Sequence, residues 1–260
     1  MGSERTPSHE VRDSTRGRHA RYTLHMQALR VLVTGASRGI GRAIALRFAR
    51  EGAHVALCAR STEALEEVAR EVEEAGGRSC IQTMDVTDPN SVELGVAAAL
   101  DAFSGGLDVL VNNAGIFDLL PFEETTPAMW ERFYRVNLHG VFLVTHCALP
   151  GLRRGARAHI FNIASGAARE GFEGCSIYCA MKAGLMGFSN GLREDLRPDG
   201  IRVATIYPGS TDTGIFDGVP GDWDRDSMNQ PEDVADTLWS GLMSSGEASD
   251  LTVPTPGQEP

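Results

Sequence analysis

The sequence predicts a single doubly wound α/β domain, in which a parallel sheet of about seven strands is covered by helices on both faces. Three observations predict it. From residue 29 onward, short β-branched runs alternate with amphipathic helical stretches, the pattern of strands joined through crossover helices. The first apolar run feeds a glycine-rich turn, Gly35-Ala36-Ser37-Arg38-Gly39-Ile40-Gly41, that opens a helix. No internal repeat and no linker divides the chain, so residues 29–260 are expected to form one domain.

Residues 29–34 (LRVLVT) read as the first strand, apolar throughout because both of its faces would be covered. The helix over 42–51 places Ile44, Ala45, Phe48 and Ala49 inward, and Gly52 closes it. A second strand follows at 54–58. The helix over 62–75 carries Leu65, Val68 and Val72 on one face and stops at Gly76-Gly77. Residues 79–84 are a third strand. Asp88-Pro89 caps and opens a helix that reaches about Phe103, with proline at its favoured first position. The fourth strand, 107–111, ends in Asn112-Asn113-Ala114-Gly115. Beyond it the pattern predicts a long helix over 127–148, a strand at 159–163 and a helix at 176–196. A strand at 201–207, a helix at 231–244 behind Pro231 and a short strand at 251–253 complete the chain.

Composition narrows the function. A net charge of −11 argues against nucleic acid or an anionic membrane as partner. No apolar run reaches the ~18 residues of a membrane span. The five cysteines show no CxxC spacing and read as reduced, mostly buried thiols of an intracellular, cytoplasmic protein. The seven histidines are scattered, and no metal site is expected. Residues 1–28 are rich in Arg, Ser, Thr and His, lack apolar periodicity and are expected to be a disordered extension; Met26 stands directly before the first strand.

The glycine turn lies between a strand and a helix, the context in which such a turn holds a dinucleotide. Gly35 would allow the sharp turn, Gly39 the approach of backbone to pyrophosphate, and Gly41 close packing of helix on strand, with the helix N-terminus facing the phosphates. The end of the second strand reads Ala59-Arg60-Ser61, without the acid that a ribose 2′-hydroxyl calls for. Arg60 and Arg38 could together clamp a 2′-phosphate. NADP(H) is therefore favoured over NAD(H).

A second constellation is Tyr178-Cys179-Ala180-Met181-Lys182. Residues four apart share a helix face, so a phenol and an ammonium stand together. A nearby cation would favour the phenolate and lower the phenol from its ordinary pKa of about 10. Lys182 is the sole lysine of the sequence, against 23 arginines. By itself such a pair is more often an ordinary surface Tyr/Lys pair on a helix. The upstream motifs tip the balance.

Thr34-Gly-Ala-Ser-Arg-Gly-Ile-Gly41, Asn112-Asn113-Ala114-Gly115, Ser165 and Tyr178-x-x-x-Lys182 occur in that order. Together they resemble the short-chain dehydrogenase/reductase family, across about residues 29–253. The resemblance implies a Rossmann fold and hydride transfer between a nicotinamide and a carbonyl or alcohol. It implies that Ser165 hydrogen-bonds the carbonyl oxygen and that Tyr178 delivers the proton. Lys182 would lower the tyrosine pKa and hold the nicotinamide ribose, and Asn137 would position a relay water. Asp85-Val86 resembles the pair that meets adenine. The stretch containing Asn112, Ala114 and Gly115 resembles the motif lining the cofactor, and Pro208-Gly209 with Thr213 the segment closing over the carboxamide. A homodimer or homotetramer is also implied. Cys179 and Met181 depart from the family's usual serines, at positions the chemistry does not need. The C-terminal end lacks the glycine-rich stretch through which some members form tetramers.

Three segments, 116–127, 166–177 and 210–229, should line the substrate pocket. They contribute Phe117, Leu119, Leu120, Phe122, Phe172, Phe216 and Trp223, which suggests a small, largely apolar ketone or aldehyde. Residues 214–229 are the candidate lid. A dinucleotide-binding regulator or scaffold on the same fold is the alternative, although binding alone gives no reason for Ser165, Tyr178 and Lys182 together.

Overall fold

A computed structural model describes residues 28–244 and 249–257 of the chain. The expected N-terminal extension, apart from residue 28, lies outside the described residues. The strands are β1 (Arg30–Thr34), β2 (His54–Ala59), β3 (Arg78–Thr83), β4 (Val109–Asn112), β5 (His159–Ile163), β6 (Arg202–Pro208) and β7 (Asp250–Val253). They form one sheet in the order β3-β2-β1-β4-β5-β6-β7, with every pairing parallel. The helices are α1 (Gly39–Ala49), α2 (Thr62–Glu74), α3 (Pro89–Ala102), α4 (Pro127–Tyr134), α5 (Gly140–Leu152), α6 (Ser176–Leu196) and α7 (Pro231–Met243).

Strand alternation decides where each side chain goes. Val31 and Val33 point into a core shared with Ile44, Phe48, Val72 and Leu238. Leu32, between them, points into the opposite core with Val92, Val96 and Val144. An uninterrupted apolar run is thus what a strand buried on both faces needs.

At the N-terminal edge of the sheet, Arg30 and Asp108 tie β1 to the entry of β4. Asp108 accepts from Arg30 Nε at 2.9 Å, from Arg30 Nη2 at 2.9 Å and from the Arg30 backbone at 3.0 Å. It also accepts from the N–H of Ala156 at 3.2 Å, which fixes the approach to β5. Strand order reverses at the β1/β4 junction, and the crevice beyond the C-terminal ends of these strands is the position at which such sheets bind ligands.

The long helix expected over 127–148 is broken. A π-helical turn, Arg135–His139, separates α4 from α5 and carries Asn137. Such a turn inserts an extra residue into the helical ladder and redirects the side chains it bears. The cysteines are also less buried than their sequence setting suggests. All five are free thiols, but only Cys58 and Cys175 are buried.

Candidate active site

The site is built where the turns after β1 and β4 meet. Thr34 Oγ1 donates to the Val111 carbonyl at 3.3 Å and accepts from the N–H groups of Asn113 and Ala114 at 3.0 and 3.1 Å. Asn113 Nδ2 returns to the carbonyls of Thr34 and Gly35 at 2.9 and 3.2 Å. Thr34 and Asn113, each inside one of the two motifs, together lock the two turns. The available signal was a hydroxyl directly before one turn and an amide inside the other.

Gly35 and Gly39 adopt φ of +64° and +55°, a region that side chains rarely enter. A Cβ on Gly41 would run into the Gly35 carbonyl and the Asn113 amide. Arg38 stands at the N-cap of α1 without a side-chain cap, and no acid lies in the first turn. The first N–H groups of α1 therefore have no side-chain partner of their own, and nothing opposes the positive helix end. Such a donor set suits a pyrophosphate.

On the other wall, α6 places Tyr178 and Lys182 one turn apart. The Lys182 ammonium stands 5.6 Å from the Tyr178 ring centre and donates to the Ile163 carbonyl at 2.8 Å. Lys182 is only 5 % exposed, and burial lowers its pKa to about 8. Tyr178 corrects the expectation of a lowered phenol pKa. Burial pushes the phenol up, the hydrogen bond from Ser165 pulls it partly back, and the thiols of Cys175 and Cys179 raise it further. Burial outweighs the neighbouring cation. Ser165 sits just past β5, and its Oγ also accepts from the Ala167 N–H at 3.2 Å.

Asn137 is fully buried. Its amide clamps the peptide of Ile116, accepting from the N–H at 3.0 Å and donating to the carbonyl at 3.1 Å. Asn112 does not present its side chain to the crevice. At 2 % exposure it donates to Thr145 Oγ1 at 3.0 Å and to Asn162 Oδ1 at 2.8 Å. Asn162 continues the chain to Ser189 at 2.9 Å. This buried amide–hydroxyl series couples β4 and β5 to α5 and α6, and its partners come from elements whose proximity no local spacing reveals.

A cavity of about 540 Å³ joins these walls. Ile40, Gly115, Asn137, Ser165, Tyr178 and Lys182 line it, and Pro208, Gly209 and Thr213 close one side. Of the expected substrate-facing residues, Phe117, Leu119, Phe172, Phe216 and Trp223 reach it. Leu120 and Phe122 do not, and Phe122 is 75 % exposed. Arg38 lies against the lid, its Nη1 within 2.8 Å of where a Cβ on Gly214 would sit. Arg60 is exposed at the end of β2, and neither arginine enters an ion pair among the described residues. Ser61 uses its hydroxyl to cap α2. Asp85 accepts from the N–H and hydroxyl of Thr87, and Val86 packs on Gly140. Ser37 and Ala114 lie in the two turns just described. Among the described residues no cluster of His, Cys, Asp and Glu is arranged to hold a metal, and no helix is long and apolar enough to cross a membrane.

Comparison with known proteins assigns this fold and site to a class, the oxidoreductases of alcohol and carbonyl groups that use a nicotinamide dinucleotide on a small molecule. Residues 29–222 match the family model described as short chain dehydrogenase. The chain is 36 % identical over 226 residues to a sorbitol dehydrogenase of Cereibacter sphaeroides, covering 85 % of this chain and 86 % of that one. It is 38 % identical to a 2,5-dichloro-2,5-cyclohexadiene-1,4-diol dehydrogenase of Sphingobium indicum, over 74 % of this chain and 76 % of the other. Among solved structures, an alcohol dehydrogenase from Thermococcus sibiricus complexed with 5-hydroxy-NADP superposes with a TM-score of 0.81 at 29 % identity, over 88 % and 97 % of the two chains. A short chain dehydrogenase from Burkholderia cenocepacia in complex with NADP gives 0.77 at 35 % identity, over 87 % and 96 %. The chain belongs to the short-chain dehydrogenase/reductase family.

Proposed function

We propose that the protein is an NADP(H)-dependent oxidoreductase that interconverts a carbonyl and a secondary alcohol on a largely apolar small molecule, with Tyr178 as general acid and base. The observation that carries this reading is the meeting of Ser165, Tyr178 and Lys182 on one cavity whose far wall is the uncapped end of α1.

The residues present suit the dinucleotide. The α1 N-terminus with Gly35, Ser37, Gly39, Ile40 and Gly41 would hold the pyrophosphate, and Arg38 and Arg60 the 2′-phosphate. Asp85 and Val86 would border the adenine, Ala114 and Gly115 the ribose, and Pro208, Gly209 and Thr213 the carboxamide. When bound, the nicotinamide supplies or accepts the hydride.

The chain's own part is positioning and proton handling. Burial keeps Tyr178 protonated at neutral pH, the form that delivers a proton to a developing alkoxide. Ser165 directs its hydroxyl at the same oxygen and stabilises the charge forming there. Lys182 is held by Ile163 beside the ring, where its charge favours the phenolate left after proton delivery. Asn137 fixes the peptide of Ile116 beneath the site.

The names of the relatives point to quite different alcohols, a sugar alcohol and a cyclohexadienediol among them. They support the reaction and leave the substrate to the cavity. The test is consumption of NADPH against NADH by the purified protein across aromatic, aliphatic and 3-oxoacyl carbonyls. Turnover with NADPH on one class is the expected result. A preference for NADH overturns the cofactor assignment, and cofactor binding without turnover of any carbonyl overturns the catalytic one.

A further inference from the structure

Four aromatic rings from three parts of the chain meet at the reacting end of the cavity. Phe117, just beyond β4, stands edge-on to Tyr178, with ring centres 5.0 Å apart and planes at 75°. It makes the same kind of contact with Phe216 at 5.5 Å and with Trp223 at 6.1 Å. Phe216 and Trp223 themselves lie 4.6 Å apart. Phe117 is therefore the hub of the group, and near-perpendicular contacts of this kind hold a ring's orientation as well as its position.

The two lid rings are held from outside. Arg225 donates to Asp212 at 2.7 Å, to the Thr213 carbonyl at 3.0 Å and to Asp217 at 3.0 Å. Trp223 satisfies its indole N–H within the lid, on the Val219 carbonyl at 3.1 Å. With that donor engaged, the rings offer the cavity only carbon surface. Several polar groups on the other side are engaged too. Thr211 donates to Gly209, Thr255 accepts from Ser210, and Arg169 lies 3.7 Å over the Tyr207 ring while donating to Thr252. The faces and edges of Phe117, Phe216 and Trp223 offer the hydroxyls of an open-chain polyol no partner and suit an apolar ring, while Glu170, Glu173 and Ser210 also line the cavity.

We propose that Phe117, Phe216 and Trp223 form a three-ring seat that selects substrates whose carbonyl or carbinol carbon belongs to an apolar ring, and that Phe117 sets the preference through its contact with Tyr178. This rests on the reading of Tyr178 as the proton donor and adds the substrate class to it.

The experiment compares α-tetralone with D-fructose in the wild type, Phe117→Leu and Trp223→Leu. It reads kcat/KM with NADPH and with NADH, and binding of each compound by calorimetry. In the wild type, α-tetralone is preferred by about a hundredfold, and the preference falls by about tenfold in each variant whose circular dichroism is unchanged. Trp223→Leu, a lid substitution, decides the matter if Phe117→Leu fails to fold. Equal or better use of fructose by the wild type overturns the seat, as does a preference that stays within about twofold in the folded variants. Binding that favours α-tetralone and weakens in the variants, with no turnover under either nicotinamide, supports the seat and overturns the oxidoreductase reading.

Discussion

The Lys182 ammonium lies 5.6 Å from the centre of the Tyr178 ring and is anchored to the Ile163 carbonyl at 2.8 Å. The two side chains are shifted in opposite directions by one cause. Burial favours the neutral form of each, raising the phenol and lowering the ammonium to about 8. Lys182 is thereby brought toward the pH range in which it titrates, whereas Tyr178 is moved away from it and holds its proton at neutral pH.

Burying Lys182 has a measurable cost in stability. Its folded pKa of about 8 lies below its ordinary value of 10.5, so between those values the unfolded chain binds more protons. Stability attributable to this group therefore rises with pH through that window and is lost as pH falls toward the folded pKa. Chemical denaturation of the wild type and Lys182→Met should show the wild type gaining on the variant by about 2 kcal/mol between pH 7.5 and pH 10. A gap independent of pH would mean that the ammonium is not desolvated.

The Arg30–Asp108 pair predicts acid sensitivity of the same sign in a lower pH window. Burial alone would raise the Asp108 carboxyl, but the hydrogen bonds and charge of Arg30, helped by the Ala156 N–H, hold it below the usual range. Its contribution is present above the ordinary carboxylate pKa and is lost as pH falls through the depressed one. Asp108→Ala should cost about 2–4 kcal/mol at pH 7, because it leaves Arg30 unpaired at the sheet edge. Denaturation at pH 7 and pH 3 would show this difference shrinking in acid.

Much of this architecture is legible in the sequence, for a physical reason. A sheet covered on both faces demands uninterrupted apolar strands, and β1 and β2 show them directly. The glycines of the first turn are legible because positive φ and the absence of room for a Cβ leave few alternatives. What escaped depends on distant partners. Arg30 and Asp108 are 78 residues apart, and the Asn112 chain draws on Thr145, Asn162 and Ser189 from three further elements. The π turn at Arg135–His139 leaves the helical apolar pattern intact, so periodicity passes over it. The direction of the Tyr178 shift is not legible locally, because its neighbour along the helix is a cation while its burial comes from residues such as Phe117, remote in sequence.

The proposed preference for NADP(H) would turn on Arg60. Arg60→Glu places an acid at the end of β2, where it would repel a 2′-phosphate and accept from a ribose hydroxyl. The ratio of Kd for NADPH to that for NADH should rise by about a hundredfold or more, a loss of about 3 kcal/mol on the phosphate. Fluorescence titration with both nucleotides measures it. An unchanged ratio would remove Arg60 from the phosphate site.

The central claim is that the Tyr178 hydroxyl moves the proton at a site that binds the cofactor without it. The most direct measurement is turnover of a ring ketone by Tyr178→Phe, paired with the NADPH dissociation constant of the same variant. Phenylalanine keeps the ring and its contact with Phe117 and removes only the hydroxyl. The account predicts that kcat falls by about 10²- to 10⁴-fold while the dissociation constant stays within about twofold. A variant that turns over at the wild-type rate would contradict it.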